Sequence, residues 1–149
     1  MQGKLAKSAG QKQSRRDQSV YVIGDGCAGL SLAAQADALP NHQIMILRPE
    51  NAPVSLDHIW GFWQVKGLET AAGLAHCKWS NWCIKTSEGS VVMTSESHCY
   101  HALRRSKWET YCRQQAKNSG VIFADQNTVK PDPTAQILDS RPPQIPKGQ

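Results

Sequence analysis

The sequence predicts an α/β protein organised around a parallel sheet, on three observations. Val20-Tyr21-Val22-Ile23 is a short β-branched and aromatic run of the kind that fits a strand buried on both faces. The small and apolar residues Cys27, Ala28, Leu30, Leu32, Ala33, Ala34 and Ala36 then lead to Leu39 and Pro40, the composition of a helix ended by a residue without an amide hydrogen. Gln43-Ile44-Met45-Ile46-Leu47 is a second apolar run. Strand, helix and strand within about 30 residues form a βαβ unit, with parallel strands and a right-handed crossover.

The stretch from Arg48 to Leu68 reads as irregular and aromatic, with Pro49 and Pro53 inside it, and Glu69 to His76 reads as a short helix. Trp82 to Thr86 and Val91 to Thr94 flank Ser87-Glu88-Gly89-Ser90, which has the length and the glycine of a hairpin turn. That hairpin is expected outside the parallel sheet. A helix is expected from about Leu103 to Lys117, stopped by Asn118-Ser119-Gly120. Val121-Ile122-Phe123-Ala124 follows as a third strand, and Ile137-Leu138-Asp139 is a last apolar segment before Arg141-Pro142-Pro143.

With 149 residues, 40% of them hydrophobic and 19% charged, the chain can bury one core but not two. No run approaches the roughly 18 to 20 apolar residues that span a bilayer, and the polar opening lacks the apolar run of a secretory signal. The expected address is cytoplasmic. Cys27, Cys77, Cys83, Cys99 and Cys112 form an odd, irregularly spaced set, so reduced thiols are expected. Residues 1–18 carry Lys4, Lys7, Lys12, Arg15 and Arg16 against Asp17, with too little apolar surface to offset the cost of ordering. They read as a disordered basic tail, residues 19–143 as a partial domain and residues 144–149 as a second tail. The net charge of +5 points to anionic partners. An anionic membrane surface, contacted peripherally, is a candidate. Nucleic acid is not expected, since no reader motif accompanies the charge.

Gly24-Asp25-Gly26-Cys27-Ala28-Gly29 is a G-x-G-x-x-G placed directly after a predicted strand and opening a predicted helix, the context in which it marks a dinucleotide site. Gly24 allows the tight turn, Gly26 lets backbone approach a pyrophosphate, and Gly29 lets helix and strand pack closely. The phosphates would rest on amides at the helix start. The usual acidic partner, about 20 residues on, accepts hydrogen bonds from the adenosine ribose. Arg48 stands there instead, and arginine has no acceptor. Two explanations compete: Arg48 faces a 2′-phosphate, or the site is degraded. Glu50, two residues on and past Pro49, is a poor substitute.

Four segments together resemble the lycopene β-cyclase family of flavoproteins. Val22 to Ala33, with Ala28-Gly29-Leu30-Ser31-Leu32, is similar to that family's opening FAD fingerprint. Asp57-His58-Ile59-Trp60-Gly61-Phe62-Trp63 is similar to its signature after the second strand and is the most specific piece. Tyr100-His101-Ala102-Leu103-Arg104 with Trp108, and Ile137 to Pro143, complete the set. Departures are Arg48 for an acid, Ile59 for a threonine and Lys107 near a common aspartate. Only Asp125 to Gln136 separate the last two apolar runs, which leaves no room for the usual β-meander of roughly 30 residues.

The resemblance implies a Rossmann-like, glutathione-reductase-type FAD-binding domain, truncated, with a small β-hairpin insertion, serving ring formation at the ends of lycopene without net redox change. Carried over by position, Gly24, Gly26 and Gly29, with Cys27 and Ala28 between them, would hold the pyrophosphate. Arg48, Arg104 and Asp139 would lie at the cofactor, and Trp60, Phe62 and Trp63 would line the flavin or polyene. The cofactors implied are FAD, held weakly or lost, with NAD(P)H as a candidate reductant. No catalytic acid stands out, because the family's acids lie in a part this sequence does not show, so a truncated or inactive form is expected. The alternatives are the front of another FAD- or NAD(P)-dependent oxidoreductase and a non-enzymatic remnant.

Other residues read more plainly. Trp79, Trp82 and Trp108 are expected to pack. His76, Cys77, Cys83, His98, Cys99 and His101 have ligand atoms but no recognised zinc spacing, so no metal is expected. Cys27 at a helix start has the placement of a reactive thiol, yet the small buried residue is the simpler role.

Overall fold

The computed structural model describes residues 18–52 and 56–141. The expectations for the tails therefore fall, Gln18 apart, outside the described residues. The βαβ unit is present. Strand β1 (Gln18–Ile23) leads through the glycine loop to helix α1 (Cys27–Ala33), a 3-10 turn (Ala36–Ala38) and strand β2 (His42–Arg48), which pairs in parallel with β1 from Gln18↔His42 to Ile23↔Leu47. The helix is shorter than its alanine content suggested. Leu39, held before Pro40 at φ −121° and ψ 62°, is off the helical region as a residue preceding proline must be, and the chain tightens into the 3-10 turn on the way there.

Strand β3 (Ile59–Trp63), helix α2 (Glu69–Leu74), strand β4 (Cys77–Trp79), the hairpin β5 (Asn81–Thr86) and β6 (Gly89–Thr94), and strand β7 (Tyr100–Arg104) follow. Helix α3 (Arg105–Asn118), strand β8 (Ile122–Asp125) and strand β9 (Gln136–Asp139) complete the described chain. The parallel sheet has the order β8-β2-β1-β9. β3-β7-β4 form an antiparallel sheet, and β5-β6 stand apart as the expected hairpin. Between β8 and β9, residues 126–135 contain no strand.

The core lies between the parallel sheet and the helices α1 and α3. Val20, Val22, Ile44 and Ile46 project to one side and meet Leu30 and Ala33 of α1 and Cys112 and Ala116 of α3. Small residues at Ala33, Cys112 and Ala116 let the two helices sit close together. Trp108 ties them, its indole N–H donating to Ser31 Oγ at 2.9 Å. Complete burial of an aliphatic side chain contributes about 1.5–3 kcal/mol, so Leu30, Ile44 and Ile46 are large contributors. Among the described residues, no helix is long and apolar enough to cross a membrane.

Two local readings change. The stretch read as irregular contains β3, and Leu103 and Arg104, read as the start of a helix, are the end of β7. The cause is long-range: Ile59↔Arg104, Trp60↔Leu103 and Trp63↔Tyr100 pair across some forty residues. β7 is also bound on its other side by β4 through Cys77↔Ala102 and Trp79↔Tyr100. Helix α3 begins only at Arg105. It has no cap from its own N-cap side chain, and Asp57 supplies one from across the fold, accepting the Ser106 amide at 2.9 Å.

The close approach of β3 to β7 requires Gly61. A methyl group there would lie 1.8 Å from the Tyr100 hydroxyl and 2.5 Å from its ring carbon Cζ, and that ring is flanked by Trp63 at 4.9 Å. Gly61→Ala should therefore lower the urea midpoint, through a loss of about 1–3 kcal/mol of stability as an overpacking defect. In a Tyr100→Ala background the same change should cost much less. Equal losses in the two backgrounds would mean that Tyr100 is not the obstacle.

Candidate functional site

The glycine loop joins the carboxyl end of β1 to α1. Gly24 has φ +104°, a conformation that side chains disfavour, and its amide donates to Leu47 O at 2.9 Å, holding the loop against β2. Gly29 is needed for a different reason. A Cβ there would sit 2.4 Å from Gly24 O, so α1 can leave the strand at this angle only with glycine. Ser140 closes the loop from the other edge of β1, its hydroxyl donating to Ile23 O at 2.9 Å.

Gly26 stands apart from both. Its φ of −80° suits any residue, and a Cβ would find only Arg105 Nη2 at 3.9 Å. Neither the backbone nor a neighbouring group requires glycine, so the space before it is open to a ligand's approach. Beside it, the amides of Cys27, Ala28 and Gly29 precede the first intrahelical bond, Leu30 N–H to Gly26 O at 2.9 Å, and no side chain caps the helix. The residues present thus fit a pyrophosphate.

A cavity of about 220 Å³ adjoins the loop at the carboxyl ends of β2 and β8, lined by Asp25, Arg48, Arg113, Phe123 and Asp125 among others. Arg48 ends β2 as its position implied. Its Nε lies 4.0 Å from Asp25 Oδ2, and Arg113 Nη2 donates to the same oxygen at 3.1 Å. The Arg113 guanidinium lies over Phe123, 5.1 Å from the ring centre.

The remaining expected residues are dispersed. Arg104 pairs with Asp57 at 3.5 Å at the start of α3, where the Ser106 amide and then Arg104 hold the Asp57 carboxyl below its ordinary value. The next residue, Arg105, is the one beside the glycine loop. It is braced by Glu109 at 2.6 Å. Asp139 lies at the end of β9, next to the loop through Ser140, and is paired with Arg141. β3 divides the aromatic trio by strand alternation. Phe62 stacks on buried His101, with Trp60 on the same side, whereas Trp63 faces Tyr100 and Trp82 on the other. His101 Nε2 donates to Gln64 Oε1 at 3.1 Å, and burial pushes its pKa down. Among the described residues, no three His, Cys, Asp or Glu side chains converge as metal ligands.

Sequence reasoning missed Asp25, Arg105 and Arg113 as members of the site. Asp25 occupies the variable position of the motif, and the two arginines belong to a helix eighty residues away. The i,i+4 spacing of Arg105 and Glu109, and the two-turn step from Arg105 to Arg113, are the signals that place both arginines on one face.

A parallel sheet, a glycine loop at its carboxyl edge and a polar cavity beside it define a Rossmann-like nucleotide-binding domain of the flavoprotein type. The family described as lycopene cyclase protein matches residues 19–138, and the chain belongs to that family. No curated protein matches. Solved structures share the fold. CtdE in complex with FAD and a substrate aligns with a TM-score of 0.53 and 18% identity, over 73% of this chain and 30% of its own. The peptidyl tryptophan dihydroxylase QhpG aligns at 0.55 and 16%, over 87% and 33%. The tetrameric 2-methyl-3-hydroxypyridine-5-carboxylic acid oxygenase aligns at 0.53 and 18%, over 72% and 31%. This chain spans about a third of the length of each.

Two predictions follow from the geometry. Gly29→Ala should destabilise the fold, because backbone must yield to the new methyl group, while Gly26→Ala should leave the urea midpoint unchanged and weaken nucleotide binding. A Gly26→Ala variant with unaltered binding would show that the open space is not the phosphate site. The second concerns Asp139, whose carboxyl is held at about 2 instead of 3.8 by hydrogen bonds from the Arg141 side chain and amide. Its contribution to stability is thus complete above pH 3.8 and is lost as pH falls toward 2. Carboxyl carbon shifts should titrate near 2, returning toward 3.8 in Arg141→Ala. An ordinary midpoint in the unaltered chain would disprove the contact.

Proposed function

We propose that this chain is the nucleotide-binding part of a flavin-dependent cyclase acting on the ends of lycopene, with FAD seated at the glycine loop. The observation that carries the flavin half is the open approach to Gly26, where neither conformation nor packing calls for glycine. Family membership supports the carotenoid half. Gly24, Gly26 and Gly29, with the amides of Cys27 and Ala28, would hold the pyrophosphate, and Arg105 would add positive charge beside it. Bound there in reduced form, the flavin would stabilise positive charge that develops during ring formation.

Protonation of an olefin requires a positioned, undissociated acid in an apolar surround. The carboxyls of Asp57, Glu69, Asp132 and Asp139 are all shifted the opposite way, by hydrogen bonds that favour the charged form. They are acceptors and ion-pair partners. These four do not serve as the acid, and the proton donor is proposed to lie outside the described residues, with the chain by itself inactive in cyclisation. Of the aromatic trio, Trp63 has the exposed apolar setting that a polyene needs, on a face shared with Tyr100, Trp79 and Trp82. Exposed Ile84, Val91 and Met93 lie on the Trp82 face of the hairpin and extend that surface. A cytoplasmic protein drawing an apolar substrate from a membrane would use such a face for peripheral contact. NAD(P)H would serve only to reduce the flavin.

FAD should bind the full chain saturably, with ADP competing and Gly26→Trp abolishing the signal. In lycopene-accumulating cells the chain alone should leave the pigment open, whereas grafting residues 19–138 onto the remainder of an active lycopene cyclase should restore cyclic product on chromatography. A chimera that folds and binds FAD but forms no ring would sink the carotenoid half. Ring formation by the chain alone would overturn the assignment of the acid elsewhere.

A further inference from the structure

The acceptor missing from the end of β2 has an alternative source in the adjoining glycine loop. We propose that Asp25, inside the glycine motif, accepts hydrogen bonds from the ribose hydroxyls of the bound nucleotide, oriented by Arg113 and Arg48; the inference rests on the flavin reading above. The usual arrangement puts the carboxylate at the end of the second strand. Here the strand end carries a guanidinium, Arg48, and the loop carries a carboxylate, Asp25.

Three observations carry this assignment. Both guanidinium contacts of Asp25 fall on Oδ2, Arg113 at 3.1 Å and Arg48 at 4.0 Å, and among the described residues Oδ1 accepts no hydrogen bond. A carboxylate with one oxygen held and the other available has the acceptor capacity that ribose hydroxyls require, and that arginine lacks. Second, the side chain is 19% exposed and lines the 220 Å³ cavity at the carboxyl ends of β2 and β8, on the edge of the sheet where α/β domains hold their ligands. Third, Arg113 is itself positioned, over Phe123 and from a helix packed on α1, so the carboxylate has a fixed partner.

The same corner argues against a 2′-phosphate on Arg48. Arg48 and Arg113 face Asp25, and Asp125, the register partner of Arg48 on β8, adds a second carboxylate to the cavity wall. Two acids offset two bases, which leaves no excess positive charge for a dianion. A neutral diol, which both donates and accepts, matches such a mixed lining.

The test is titration of the full chain with ADP and with 2′,3′-dideoxyADP by calorimetry, alongside FAD. The unaltered chain should prefer ADP by about tenfold, the size expected for a hydrogen bond to a charged group. Asp25→Ala should bring that ratio close to one whatever it does to overall affinity, and Arg48→Gln should keep it, since Arg113 still holds the carboxylate. A ratio near one in the unaltered chain, or a ratio that survives Asp25→Ala, overturns the proposal while FAD binding stands. Tighter binding of adenosine 2′,5′-bisphosphate than of ADP overturns it in favour of a phosphate at Arg48. No saturable binding of FAD or ADP removes the flavin reading and this one together.

Discussion

Helix α1 leaves the end of β1 so closely that a single methyl group on Gly29 would press into Gly24 O at 2.4 Å. That contact sets the angle at which α1 lies on the sheet, and the rest of the molecule is arranged on it. α1 offers Leu30 and Ala33 to the strands and Ser31 to Trp108. α3 docks on that surface through small residues, and docking brings Arg105 to the glycine loop and Arg113 to Asp25. A wider departure of α1 would move both arginines away from the loop without altering either helix.

The four segments through which the chain resembles its family are two pairs in space. Val22 to Ala33 and Ile137 to Arg141 meet where β9 runs beside β1 and Ser140 binds the carbonyls of Ile23 and Gly24. Asp57 to Trp63 and Tyr100 to Arg104 are antiparallel partners. This gives the most specific of the four a physical explanation. Asp57 caps α3, Gly61 admits Tyr100, and β3 anchors the strand that feeds the helix. Much of that signature is therefore architecture that positions α3, and through α3 the arginines beside the glycine loop. Ile59 and Trp63 are turned outward on the other face of β3, Trp63 toward other aromatic rings.

Electrostatics divides the acids by role. Asp57 and Asp139 take backbone amides and guanidinium groups, which keep them charged and suit them to fastening chain ends. Asp25 differs in placement: it faces a cavity, between two arginines from different elements. The loop and the end of β2 thus set an acid and a base of opposite charge beside one another, Asp25 and Arg48.

The sequence by itself determined the βαβ unit, the glycine loop, the separate hairpin and the family. Each rests on local signals: unbroken apolar runs, a motif whose spacing states its geometry, a turn of hairpin length. Only the tertiary structure decided that Ile59 to Trp63 is a strand, that Leu103 and Arg104 belong to one as well, and that Trp60 and Trp63 face opposite ways. Those outcomes depend on hydrogen bonds to a partner some forty residues distant, and nothing local encodes them. The site divides in the same manner. Gly24, Gly26 and Gly29 were legible because backbone geometry demands or permits glycine there. Asp25, Arg105 and Arg113 were not, because a charged side chain acquires a partner only when packing brings another element to it.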